Sequence, residues 1–283
     1  MEVSAPQWTR ETTWRQGHVV PAEAVQALGL IHPGVPAATC VVVVSHDCDL
    51  ANDDLAIEPD VEVIVGCHPA KPDGNFRWAK TPRTLHLEIT TAGAPVLVEL
   101  VATSKRAVSK TALAAFTHDA AYSLSGQGLA VLRSWLAVRY NRAAFPDPFV
   151  KRMAKFKVDK ALAKLVEPHG ALVSAIFFDV DGGKELDRSD DSPYELSVVL
   201  AYAPGADPEK AADSVDALET AVEKLFAEKH FDKATGQWKG IALKNCLSIS
   251  EDDLTVSKAK LLTQWRLEHM TLRADEPQPA PPA

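Results

Sequence analysis

Apolar residues recur on two periods along this chain, and the switch between them sets the expected architecture. Gly17-His18-Val19-Val20 reads as a short strand, and Pro21 to Leu28 as a brief helix with proline at its first position. Cys40-Val41-Val42-Val43-Val44 is β-branched and apolar on both alternating faces, the pattern of a strand buried on both sides. Further strands are expected at Val61–Cys67, Leu85–Ile89 and Pro95–Val101, with turn residues between them, so residues 1–102 read as a small, strongly bent, barrel-like sheet.

Beyond Ser104 the period becomes helical. Leu129, Leu132, Trp135, Leu136 and Tyr140 form an apolar stripe, and a further helix is expected from Phe149 to Leu165, which makes 103–168 a central helical segment. The remainder reads as strand Leu172–Asp179, strand Tyr194–Ala203, a helix from Asp207 to Lys229, strand Trp238–Leu247 and a closing segment from Ser257 to Leu272. Asp207-Pro208-Glu209 marks that helix start with a capping residue followed by proline. The expected class is α+β, with a ferredoxin-like α/β sandwich over 169–275 and a disordered tail at 276–283.

Composition narrows the setting. Apolar residues make up 46% of 283, enough for a real core, yet no apolar run approaches the roughly 20 residues of a membrane helix. No membrane association is expected, and the N-terminus lacks a secretory pattern, so the expected location is cytoplasmic. Cys40, Cys48, Cys67 and Cys246 lack the dense spacing of a disulfide framework. The net charge of −8 hides a segregation: residues 1–70 carry 2 basic and 10 acidic side chains, 71–160 carry 15 and 6, and 161–283 carry 13 and 22. The basic 71–160 segment is a candidate nucleic-acid surface, and the acidic C-terminal domain a candidate surface for a protein partner.

The polar run Ser45-His46-Asp47-Cys48-Asp49, at the end of the most apolar strand, is the leading candidate for chemistry. If the strand continues through it, His46 and Cys48 share one face and Asp47 and Asp49 the other. A hairpin closing near Asp49 and Val61 would set Cys48 opposite Glu62 and Cys67 opposite Val43. Glu58, Asp60 and Glu62 then fall beside His46, Asp47 and Asp49, while Cys40, Cys67 and His68 gather about 16 Å away. So many carboxylates demand a counter-charge. A divalent metal held by His46, Cys48, Asp49 and Asp60 is one solution, with oxygen ligands favouring Mg²⁺ or Mn²⁺ and His46 with Cys48 favouring Zn²⁺. Lys80, Arg83 or solvent exposure is another. Cys48, between two aspartates, is a poor nucleophile. Walker, Gly-x-Gly-x-x-Gly, Gly-x-Ser-x-Gly and His-Glu-x-x-His motifs do not occur.

Gln16-Gly17-His18-Val19-Val20, then Val41-Val42-Val43-Val44-Ser45 and Glu62-Val63-Ile64-Val65, resemble the first strands of the MazF/PemK-like toxins over residues 12–102. The resemblance implies an SH3-like barrel and metal-free RNA cleavage. This chain has no Arg-Pro before its central strand and carries a more acidic segment at 46–49.

The expected function is therefore a phosphodiesterase or nuclease of a bacterial toxin–antitoxin or defence system. His46 would be its base or ligand, Asp47, Asp49 and Asp60 would hold a cation, and Lys80 and Arg83 would stabilise developing charge. The alternative is a non-catalytic adaptor that binds nucleic acid or protein.

Overall fold

The computed structural model describes residues 7–138, 140, 145–184, 186, 188, 192–205, 207–259 and 262–267; the expected tail at 276–283 lies outside them. The protein is α+β and divides into two compact units. The first holds residues 1–72 and 82–140, and the second 73–81 and 141–283. Of the helical segment expected over 103–168, residues 103–140 fall in the first unit and 141–168 in the second. Among the described residues, no helix is long and apolar enough to cross a membrane.

The first unit contains strands β1 (Thr39–Val43), β2 (Asp60–Cys67), β3 (Thr84–Thr91), β4 (Ala94–Val101), β5 (Lys105–Ser109) and β6 (Tyr122–Ser123). Its helices are α1 (Ala22–Ala27), α2 (Asp47–Ala51), α3 (Lys110–Leu113) and α4 (Gly126–Val138). The strands form one sheet of order β1-β2-β4-β3-β6, with β5 also paired to β2. Both alternating faces of β1 are buried, as its unbroken valines require, and the backbone of residues 17–20 pairs along its free edge through Gly17 N–H to Val43 O and Val20 N–H to Val41 O.

The expected hairpin register is corrected. Val43 lies opposite Val63 and Cys67 opposite Thr39, so Cys67 does not face Val43 and Cys48 has no strand partner. The strand ends at Val43 and the polar run turns into α2. His46 sits at its N-cap, where its Nδ1 accepts the Cys48 N–H, and Asp47 and Asp49 occupy the first turn, where carboxylates suit the helix dipole. The extended alternation of residues 46–49 is therefore lost.

The second unit contains helices α5 (Asp147–Lys155), α6 (Val158–Val166), α7 (Pro208–His230) and α8 (Val256–Ala259), and strands β7 (Val173–Val180), β8 (Tyr194–Tyr202), β9 (Phe231–Asp232), β10 (Gln237–Trp238), β11 (Ile241–Ser250) and β12 (Thr263–Trp265). Its main sheet runs β11-β8-β7-β12, and α7 links the parallel pair β8 and β11. Phe149 of α5 meets Phe178 of β7, Tyr194 of β8 and Trp265 of β12 in the centre of its core, with Phe178 and Trp265 stacked at 4.8 Å. The single helix expected over 149–165 is two helices, because Lys157 adopts a left-handed conformation (φ 56°) and breaks the run. Residues 73–81 join this unit by a close approach: a Cβ on Gly74 would lie 2.0 Å from the Glu167 carbonyl oxygen. The Asn75 and Trp78 side chains donate to the carbonyls of Ala163 and Ala171.

Candidate functional site

The acidic residues around α2 do gather, but about a lysine. Lys110, the first residue of α3, is fully buried and its Nζ donates to the carbonyls of Asp49 (2.6 Å) and Asn52 (2.8 Å). Burial holds its pKa below the ordinary lysine value, and the nearby carboxylates of Glu58, Asp49, Asp53 and Asp60 pull it back up. The counter-charge that the acidic pattern demands is thus this ammonium. Of the expected metal ligands His46, Cys48, Asp49 and Asp60, His46 Nδ1 caps a helix and Asp49 and Asp60 lie near the Lys110 ammonium; among the described residues no three His, Cys, Asp or Glu side chains are grouped to hold an ion.

Other expected members are placed elsewhere. Lys80 belongs to the second unit, where it is buried and donates to the carbonyls of Gly170 and Val173. Arg83 is half-buried in the first unit, and its carbonyl accepts the Ala102 N–H. Glu62 pairs with Lys105 at 2.7 Å. Cys40 and Cys67 are buried free thiols, and burial, then Asp119 and Cys67, pushes Cys40 up to about 12. His68 Nδ1 lies 3.0 Å from the Leu97 carbonyl.

One member of the polar run, Asp47, bonds to a residue that lines a pocket. Its Oδ1 accepts the Gln16 N–H (2.8 Å), and its Oδ2 lies 4.0 Å from the Arg133 guanidinium. Buried Gln16 ties the two together: its Oε1 accepts from Arg133 Nε (2.7 Å) and its Nε2 donates to the Val44 carbonyl (2.8 Å). Gly17 follows with φ 88°, and a Cβ there would lie 2.7 Å from Leu124 Cδ2, so the turn that leads into His18 needs glycine.

His18 stacks on His118 with ring centroids 3.9 Å apart and planes 25° from parallel, and Trp14 packs its edge against His118. The two imidazoles, Gln16, Gly17, Tyr122 and Leu129 line a pocket of about 360 Å³. His18 Nδ1 accepts the Arg15 N–H (3.1 Å), which assigns its ring proton, when neutral, to Nε2. Burial, then the charges of His118 and Arg15, lower its pKa to about 4 against the opposing pull of Asp47. His18 is thus uncharged at neutral pH. His118 Nδ1 is buried without a hydrogen-bond partner. Tyr122 has its pKa raised by burial and by Cys40 and Asp119.

Against known protein families, curated proteins and solved structures, the chain has no match. An uncharged N–H donor and a second imidazole in the pocket, with a half-exposed guanidinium held by the pocket residue Gln16 and by Asp47, suit an anionic substrate that gives up a proton. His118 and Arg133 escaped the sequence reading because each lies about a hundred residues from Gln16 and His18, with no local motif around it. His18 stood in the Gln-Gly-His run, where only its strand character was used.

Proposed function

We propose that the first unit cleaves RNA phosphodiester bonds in the pocket of His18 and His118, by imidazole acid–base chemistry. The observation that carries this is the stacked pair of imidazoles that line one pocket, with His18 kept neutral at physiological pH. His118 takes the proton from a ribose 2′-hydroxyl as that oxygen bonds to phosphorus. The 5′-oxygen leaves and takes a proton from water, so the products are a 2′,3′-cyclic phosphate and a 5′-hydroxyl. Arg133 and His18 Nε2–H face the charge that builds on the phosphoryl oxygens. RNA is preferred to DNA because it brings its own nucleophile. Lys105 and Arg106, exposed on β5, support nucleic acid as the partner. This reading agrees with the resemblance to barrel toxins and with a role in a toxin–antitoxin or defence system.

The test incubates the full chain with end-labelled single-stranded RNA in EDTA. Cleavage to cyclic-phosphate ends is expected, slowed on the order of 10²–10⁴-fold in His118→Ala and absent on 2′-O-methyl RNA. Cutting that survives in His118→Ala, or that treats DNA and RNA alike, refutes the proposal. Binding without any cleavage leaves a non-catalytic adaptor.

A further inference from the structure

The second unit carries a surface of one charge sign. Helix α5 buries Phe149, Val150 and Met153, and α6, which follows it, buries Val158, Leu162 and Val166 in the same core. At about 100° per residue, Lys151 and Lys155 stand about 175° around α5 from its buried residues, and Lys160 and Lys164 about 180° around α6 from theirs. Both rows therefore point away from the core, and Lys157 sits in the left-handed turn between them. All five lysines are exposed. Within each row the two lysines are about 6 Å apart along the axis, a step comparable with that between successive phosphates of an extended strand. Among the described residues none of the five is in an ion pair, and Lys155 lies over the Phe156 ring at 5.7 Å, where it keeps its charge.

The acids of these helices do not answer that charge. Asp147 and Asp159 occupy the first turns of α5 and α6, where carboxylates suit the helix dipole, and Glu167 follows the end of α6. Helix α7 of the same unit mixes the signs instead, as in Lys224 and Glu228 at 3.9 Å, which is the ordinary pattern of a solvated face. Other cations of the basic 71–160 segment are spent internally: Lys80, Lys110 and Arg152 all donate to backbone carbonyls. Lysines in rows act as point charges toward a chain of phosphates and carry no base-reading geometry. We infer that the α5–α6 face binds the phosphodiester backbone of single-stranded RNA without regard to base sequence. The inference rests on the proposed RNA substrate for the identity of the polyanion, and it assigns the second unit a part that the histidine chemistry does not supply.

The experiment measures binding of the full chain to a fluorescein-labelled single-stranded 2′-O-methyl RNA, which is not cut, by anisotropy between about 50 and 200 mM salt. One variant combines Lys151→Gln, Lys155→Gln, Lys160→Gln and Lys164→Gln; glutamine keeps the helix propensity of lysine. A control combines Lys210→Gln, Lys224→Gln, Lys229→Gln and Lys233→Gln, at exposed lysines on and just after α7. Loss of the four α5–α6 charges is expected to weaken binding by about tenfold or more at the lower salt and to make the slope of log K against log salt shallower by about 3, while the control stays within about twofold of wild type. Unchanged affinity and slope in the first variant, an equal loss in both, or no RNA binding at all overturns the inference. Lysine-dependent binding to vesicles of phosphatidylcholine and phosphatidylserine, without RNA binding, overturns it too and gives the face to a membrane surface. Cleavage that persists in His118→Ala would sink the catalytic reading and leave this one standing. A first variant that binds like wild type, beside His118-dependent cleavage, would do the reverse.

Discussion

Replacing Lys80 with methionine separates a structural lysine from a phosphate-binding one. The side chain is 1% exposed, and Nζ donates to the carbonyls of Gly170 (2.8 Å) and Val173 (2.7 Å). Burial, then the charge of Arg77, lowers its pKa from 10.5 to about 7 against the opposing pull of Asp73. A neutral amine still has two N–H bonds, one for each carbonyl, so losing the charge does not orphan either acceptor. The gap between 10.5 and about 7 corresponds to about 5 kcal/mol of disfavoured charge.

The sign follows from proton counting. Between about pH 7 and 10.5 the unfolded chain holds the Lys80 proton and the folded chain does not, so stability rises with pH across that window and is lowest below it. Relative to Lys80→Met, the wild-type second unit should gain about 1.4 kcal/mol per pH unit, or about 2 kcal/mol between roughly pH 7.5 and 9. Two measurements check this: the ¹³Cε shift of Lys80 against pH, and urea unfolding followed through the indole signals of Trp238 and Trp265. A midpoint above about pH 9, or a stability difference that stays flat, would contradict a desolvated amine and return Lys80 to the candidates for anion binding.

Lys110→Met should lower the stability of the first unit by about 3–5 kcal/mol, since it strips the cation from a buried site that keeps its carbonyl acceptors and acidic neighbours. A loss below about 1 kcal/mol in chemical unfolding would show that the acidic residues need no compensation. Gly17→Ala should cost about 1–3 kcal/mol, from its positive φ and the 2.7 Å approach to Leu124, and should slow RNA cleavage; an alanine variant as stable and active as wild type refutes the strained turn. His18 should titrate near pH 4 in ¹⁵N spectra and hold one tautomer from pH 6 to 8, whereas a midpoint near 6.5 would mean the stacked pair is solvated.

The strands were readable because their signal is local. The valines of 40–44 and the apolar runs at 61–67, 85–89 and 95–101 fall within β1 to β4 or one residue beyond, and the capping pattern at Asp207 places the start of α7. The stripe from Leu129 to Tyr140 likewise marks α4 and contains Trp135. Misreadings arose where the deciding contact is distant or the local cue is unusual. A histidine N-cap with aspartates in the first turn ended β1 early, and that one change moved the register by four residues. Lys110, in an unremarkable Ser-Lys-Thr-Ala stretch, gives no sequence sign that its ammonium is buried, because that follows from the path of residues 49–60. His18 and His118 stack across a hundred residues of intervening chain.

The acidic motif and the histidine pocket are linked through α2. Its Asp49 carbonyl and that of Asn52, the residue at its C-cap, are held from one side by Lys110, which also gives the surrounding carboxylates their counter-charge. That hold fixes the helix whose first residue, Asp47, anchors the Gln16 backbone and stands beside Arg133. Gln16 in turn fastens Arg133 and precedes the glycine turn that sets His18 against His118. Charge on Asp49, Glu58 and Asp60 therefore bears on the stability of the helix, while charge on Asp47 bears on where the Arg133 guanidinium stands. Neighbouring aspartates in one five-residue run are divided between the Lys110 site and the pocket of His18 by the turn of a helix, which sends successive side chains about 100° apart.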